Sequence, residues 1–209
     1  MTCVLLHGLG QGPSSWDGVR EALPPHLPVV CPSLGEWLAG REAVYADLFR
    51  GWEAYASRLD GPLVLCGLSL GGVLALDYTL RHPERVAALA LIATPIAMPK
   101  TLLTVQNLLF RLLPSSAFAG MGLAKKQALS LCRSMKELDF RRQVGSLSCP
   151  VAAICGERDR TNRPAAQELA RRVSHARLIL LEGAGHEANS DNPLRLGEAL
   201  GAFFTEQGV

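Results

Sequence analysis

Three short segments of the chain hold the residue types that covalent nucleophilic chemistry needs. Gly67-Leu68-Ser69-Leu70-Gly71-Gly72 contains a G-x-S-x-G pattern, Gly156-Glu157-Arg158-Asp159 ends on a carboxylate, and Gly183-Ala184-Gly185-His186-Glu187 presents an imidazole. A serine hydroxyl is a poor nucleophile unless a histidine takes its proton and an acid holds that histidine in the right tautomer. The chain order Ser69, Asp159, His186 is the order expected of one hydrolase class. Glu157 and Glu187 compete with Asp159 for the acid's role, but Glu157 would face another way on its turn and Glu187 adjoins the base, so Asp159 is preferred. A fourth segment, His7-Gly8-Leu9-Gly10-Gln11-Gly12, is a glycine-rich loop. The backbone amides of Leu9 in this loop and of Leu70 after the serine are expected to form an oxyanion hole, with His7 bracing the loop.

These segments act together only if the chain brings them to one place. Short aliphatic runs recur at Thr2 to Leu6, Pro28 to Cys31, Leu63 to Cys66, Val86 to Ile92, Val151 to Cys155 and Leu178 to Leu181. They are continuous rather than alternating, as in strands of a parallel sheet covered by helices on both faces. Helical spacing is found at Ser14 to Leu23, Arg41 to Leu59, Gly71 to Leu80, Pro164 to Val173 and Pro193 to Phe204. The repetition predicts a doubly wound α/β fold with about six parallel strands. Each reactive segment follows a strand, at the carboxyl edge where open α/β sheets place their sites. Pro28 and Pro32 bracket the second run, which puts it at a sheet edge.

One stretch breaks the rhythm. Ile96 to Leu147 is far longer than a simple crossover requires. It carries Leu102, Leu103, Val105, Leu108, Leu109, Phe110, Leu112 and Leu113, and after Pro114 a second apolar set including Leu129, Leu131 and Met135. Apolar positions nearly encircle the first of these helices, more than one packing face requires, so 96–147 is expected to be a helical cap inserted into a core formed by 1–95 and 148–209. Leu9, Trp16 and Leu70 together with this cap suggest a pocket for a neutral, fairly hydrophobic acyl group, with Trp16 as a substrate contact.

Composition narrows the alternatives. The 209 residues are 48% hydrophobic and 19% charged, enough to bury a core and too apolar for disorder. Net charge is +2 with scattered basic pairs, which argues against nucleic acid as a partner. The longest strictly apolar run, Val86 to Ala93, is too short to span a bilayer. The N-terminus lacks the features of a secretion signal, and the six cysteines form no Cys-x-x-Cys pair, so a cytoplasmic protein with reduced thiols is expected. No metal site or cofactor is expected, since His186 and Asp159 supply too few ligands for zinc. A dinucleotide fold fails on spacing, because Gly8, Gly10 and Gly12 give G-x-G-x-G rather than G-x-G-x-x-G.

The His7-Gly8 loop, the Gly67 to Gly71 elbow, Asp159 and His186 occur in the order of the α/β-hydrolase superfamily, which the chain resembles over nearly its whole length. The resemblance implies a small capped serine esterase or thioesterase acting through an acyl-enzyme on a small-molecule ester or thioester. It also implies that the first two strands of that fold are lacking here. Carbon-carbon hydrolases or lyases and ligand receptors that retain the triad are alternatives within the same fold, and the exposed edge strand is compatible with a monomer or a homodimer.

Overall fold

The computed structural model describes residues 1–38, 43–98 and 124–208. Its centre is a six-stranded parallel sheet of β1 (Thr2–Leu6), β2 (Val29–Val30), β3 (Leu63–Leu68), β4 (Val86–Ile92), β5 (Val151–Gly156) and β6 (Ala176–Leu181). The spatial order is β2-β1-β3-β4-β5-β6. The chain moves outward from β1 to β2, crosses back to place β3 on the other side of β1, and then runs steadily to β6. The reversal lies between β1 and β3, where open α/β sheets form their binding crevice. The loops leaving these strands carry His7 to Gly12 and Ser69.

Among the described residues seven α-helices flank or extend the sheet: α1 (Asp17–Glu21), α2 (Tyr45–Ala56), α3 (Leu70–Arg81), α4 (Lys125–Ser134), α5 (Arg163–Arg172), α6 (Ala188–Asp191) and α7 (Pro193–Glu206). Alternate strand residues feed two apolar layers, as the period-2 geometry of a strand dictates. Val4, Leu6, Leu63 and Leu65 pack beneath α2 and α3, whereas Cys3, Leu5, Val64 and Cys66 pack beneath α1 and α7. The six cysteines are unpaired, and burial raises the Cys155 thiol to about 11.

The strands and their edge order follow the sequence expectation, including β2 at one edge. The other edge differs. Leu178 and Leu180 of β6 are 37% and 44% exposed, so this continuous apolar run is not covered on both faces. The predicted cap is described only in part, and its first helix, with Leu102 to Leu113, falls outside the described residues. At its base Ala97 bridges Asp139, the Met98 amide donates to the Leu138 carbonyl and the Phe140 amide donates to the Ile96 carbonyl. These bonds join the start of the excursion to its return. On the far side α4 buries Ala128, Leu131 and Cys132, while Gln127 donates to the Leu38 carbonyl.

Candidate active site

Ser69 stands between β3 and α3 with φ 52° and ψ −111°, a sparsely populated positive-φ conformation of the kind that costs an L-residue about 1–3 kcal/mol. The surroundings hold it there. Its amide donates to the Ile92 carbonyl at the end of β4, and its carbonyl accepts from Val73 in the first turn of α3. The glycines on either side allow α3 to sit directly on the strand ends. A Cβ on Gly67 would lie 2.4 Å from the Gly71 backbone, and one on Gly71 would lie 2.1 Å from the Leu6 carbonyl oxygen. The tight turn leaves Ser69 half-buried at the mouth of the crevice. Leu70 is the first residue of α3, so its N–H belongs to the unpaired donors at the positive end of the helix.

The loop after β1 is held by hydrogen bonds within it and from Leu34. Leu34 donates its amide to Nε2 of His7 (3.2 Å), which fixes the proton on Nδ1, and Nδ1 then donates to the Gly8 carbonyl (2.9 Å). The Gln11 amide donates to the same oxygen (3.2 Å). A trans peptide is planar, with N–H opposed to C=O, so pinning the Gly8 oxygen turns the Leu9 N–H the opposite way. Among the described residues this N–H has no acceptor. The neutral imidazole suits the role, and burial pulls His7 below its ordinary 6.5 despite the upward pull of the Gly8 carbonyl. Leu9, Leu70, Leu34, Leu38, Leu48 and Leu131 line a small cavity beside this loop.

Asp159 and His186 meet across the loops that follow β5 and β6. Because Gly156 and Leu181 are in register, the two loops leave the sheet side by side. The Arg158 amide donates to the Ala184 carbonyl and its guanidinium to the Gly183 carbonyl. A Cβ on Gly156 would lie 2.2 Å from the Gly185 oxygen, so the loops touch. Nδ1 of His186 donates to Oδ2 of Asp159 at 2.9 Å. Asp159 is buried and His186 is exposed, leaving the outer part of the ring accessible. Burial pushes the Asp159 carboxyl upward, but hydrogen bonds from His186 and Asn162 outweigh it and hold the group below its ordinary 3.8.

Most of the predicted residues therefore gather at the carboxyl edge of the sheet. The Asp159–His186 pair is made, while among the described residues no hydrogen bond joins the Ser69 hydroxyl to the ring. Serine and base commonly close to bonding distance only with substrate bound. Glu157 turns toward the Gly183 amide and takes no part in the pair. Trp16, expected to touch substrate, is fully buried in the layer beneath α1 and α7 with Cys3, Leu5 and Leu68, and it does not line the cavity that Leu9 and Leu70 share. Its large apolar surface is better removed from water in that core than at a crevice.

Two features escaped the sequence. Asn162 donates its side-chain amide to both Asp159 oxygens (3.1 and 2.8 Å) and its backbone amide to Oδ1 (3.1 Å). Its place three residues after the acid, just before a helix, is a signal for such a local turn. Gln11 and Asn189 bond to each other across 178 positions of sequence, and no local pattern announces that.

A sequence profile of the alpha/beta hydrolase family matches residues 3–199. The chain belongs to that family and is an α/β-fold hydrolase. Among proteins it is similar to, the pimeloyl-[acyl-carrier protein] methyl ester esterase of Nitrosomonas europaea is 27% identical over 220 residues, 88% of this chain and 87% of that protein. The enzyme of that name from Aromatoleum aromaticum is 41% identical over 92 residues, 44% of this chain but only 36% of its own length. The fold is shared with the enol-lactonase from Burkholderia xenovorans LB400, with a TM-score of 0.86 at 19% identity over 98% of this chain and 91% of that one. Among the described residues no helix is long and apolar enough to cross a membrane.

Proposed function

We propose that the protein is a serine esterase that cleaves a carboxylic ester or thioester of a small, fairly hydrophobic acyl group through Ser69, His186 and Asp159. The observation that carries this reading is the Asp159–His186 hydrogen bond, made at the same sheet edge as the strained Ser69. Ser69 Oγ attacks the carbonyl carbon while Nε2 of His186 takes its proton. Asp159, already ionised and bonded to Nδ1–H, stabilises the imidazolium that forms. Charge developing on the carbonyl oxygen is met by the Leu9 and Leu70 amides, and each such donor is typically worth about 3–4 kcal/mol in the transition state. Imidazolium then protonates the departing alcohol or thiol. Water, activated by the same imidazole, attacks the acyl-enzyme, releases the acid and restores Ser69.

The leucines beside the oxyanion loop make an apolar wall there, which supports a preference for apolar acyl groups. Residues 96–147 serve as the cap in this reading, closed at their base by the Ala97–Asp139 bridge and contributing Leu131 to the cavity. Because the relatives in Nitrosomonas and Aromatoleum are named for a methyl ester, methyl esters join aryl esters as candidate substrates.

The test is labelling with a fluorophosphonate followed by peptide mapping, with Ser69→Ala and His186→Ala in parallel. One label confined to Ser69 and lost in both variants is expected, together with a fall in ester turnover of about 10⁶-fold in each, as for other triads. Turnover surviving in Ser69→Ala would end this reading. Labelling without steady-state turnover would instead mark a receptor.

A further inference from the structure

We infer that Gln11 and Asn189 are a positioning pair that holds the oxyanion loop in register with the catalytic base. Gln11 Oε1 accepts from the Gly8 amide (3.2 Å) and from Asn189 Nδ2 (3.1 Å), while Gln11 Nε2 donates to Asn189 Oδ1 (3.1 Å). The two side-chain amides are thus bonded reciprocally. Asn189 Nδ2 also donates to the Ser15 carbonyl (3.2 Å), and Asn189 is only 2% exposed. One end of the brace lies in the loop that carries Leu9. The other lies on α6, three residues beyond His186.

The geometry gives each bond a distinct consequence. By taking the Gly8 N–H, Gln11 orients the peptide before Gly8, while its own backbone amide helps pin the Gly8 carbonyl and so directs the Leu9 N–H. Consecutive amides of one glycine-rich loop are thereby separated, Gly8 committed to the protein and Leu9 left for an incoming oxyanion. A glycine-rich loop has many conformations of similar energy, and a part-buried ring of reciprocal amide hydrogen bonds selects one of them. Because the selecting partner stands on the segment that follows the base, the distance between the oxyanion donor and His186 is set by side chains that touch neither. The bonds of these two side chains run to Gly8, to Ser15 and to each other rather than to Ser69, Asp159 or His186, so both are positioning rather than catalytic residues.

This inference rests on the esterase reading, and its test separates the two. kcat and KM on an aryl ester are measured for Gln11→Met, which keeps the side chain's length without its polar atoms, for Asn189→Ala and for the double variant. Affinity for a boronic acid that mimics the tetrahedral species and the thermal midpoint are followed in parallel. In Gln11→Met we expect kcat to fall about 10- to 100-fold, as for a displacement of about 1 Å at a reacting centre, with KM changed less than about threefold. Affinity for the boronic acid should weaken by the same factor as kcat/KM. The double variant should be no slower than the slower single one, because the pair acts as a unit. A folded Gln11→Met with kcat within about twofold of the parent would overturn the inference, as would losses that simply multiply in the double variant. Should Asn189→Ala not fold, the half-buried Gln11→Met decides alone. A parent that neither takes a fluorophosphonate nor turns over ester would bring down the esterase reading itself, and the positioning role with it.

Discussion

Where β3 delivers Ser69, main-chain atoms set the geometry. Where β5 and β6 deliver Asp159 and His186, side-chain hydrogen bonds set most of it. On the first side a helix rests so closely on strand ends that Cβ atoms have no room at Gly67 or Gly71, and Ser69 keeps a positive-φ conformation because β4 and α3 both grip its backbone. On the second side Asn162, Asp159 and His186 form a chain of polar contacts reaching toward solvent. The first arrangement tolerates no added atom at Gly67 or Gly71. The second has room at Gly183, though not at Gly156, and depends on charge.

Asp159→Asn should strike the second side hardest. With its acceptor replaced by an amide, Nδ1 of His186 loses the partner that fixes its tautomer, and kcat should fall about 10⁴-fold while the fold persists. A circular dichroism spectrum alongside ester kinetics checks this, and activity within tenfold of the parent would mean that Glu157 or Glu187 is the acid after all.

Two glycine substitutions sharpen the contrast in stability. Gly71→Ala places a methyl 2.1 Å from the Leu6 oxygen and 2.7 Å from the His7 oxygen, so α3 must lift from the sheet, at about 3 kcal/mol or more by the measure of overpacked cores. Gly183→Ala meets nothing nearer than Asn192 at 3.9 Å, and only its φ of 69° is strained, which costs about 1 kcal/mol. Urea unfolding should rank the two in that order, and equal losses would erase the proposed difference between the sides.

The smallest effects are on stability against pH. His7 is held below its ordinary 6.5, so below that pH the unfolded chain takes up a proton that the folded chain refuses, and stability falls with pH until the folded value is reached. Asp159 is held below 3.8, so its stabilising contribution is present above that pH and is lost as pH falls through the folded value. Neither slope can exceed about 1.4 kcal/mol per pH unit. His7→Gln should flatten only the upper window and Asp159→Asn only the lower one, as urea midpoints across pH would reveal.

The same division explains what was legible in the sequence. The elbow, the loop after β1 and the places of Asp159 and His186 were readable because each depends on residues next to a strand end. The exposed face of β6 was not, because Leu178 and Leu180 have the composition of a covered strand, and coverage is decided by which helices pack there. Trp16 was misplaced for a related reason: an aromatic residue soon after a reactive loop looks like a ligand contact until the sheet shows which apolar layer receives it. The Gln11–Asn189 pair joins residues almost a chain length apart, and only folding makes them neighbours.

Among the described residues β6, which brings His186 to the site, pairs with β5 alone and carries two half-bare leucines, whereas β3, which brings Ser69, lies between β1 and β4 with every residue buried. Strands at such a margin open before the centre of a sheet does. Warming should therefore separate two temperatures usually taken as one: the base strays first, and the molecule stops working while most of its secondary structure is still in place. Its working range is set by its border, and strengthening the centre would do little to widen it.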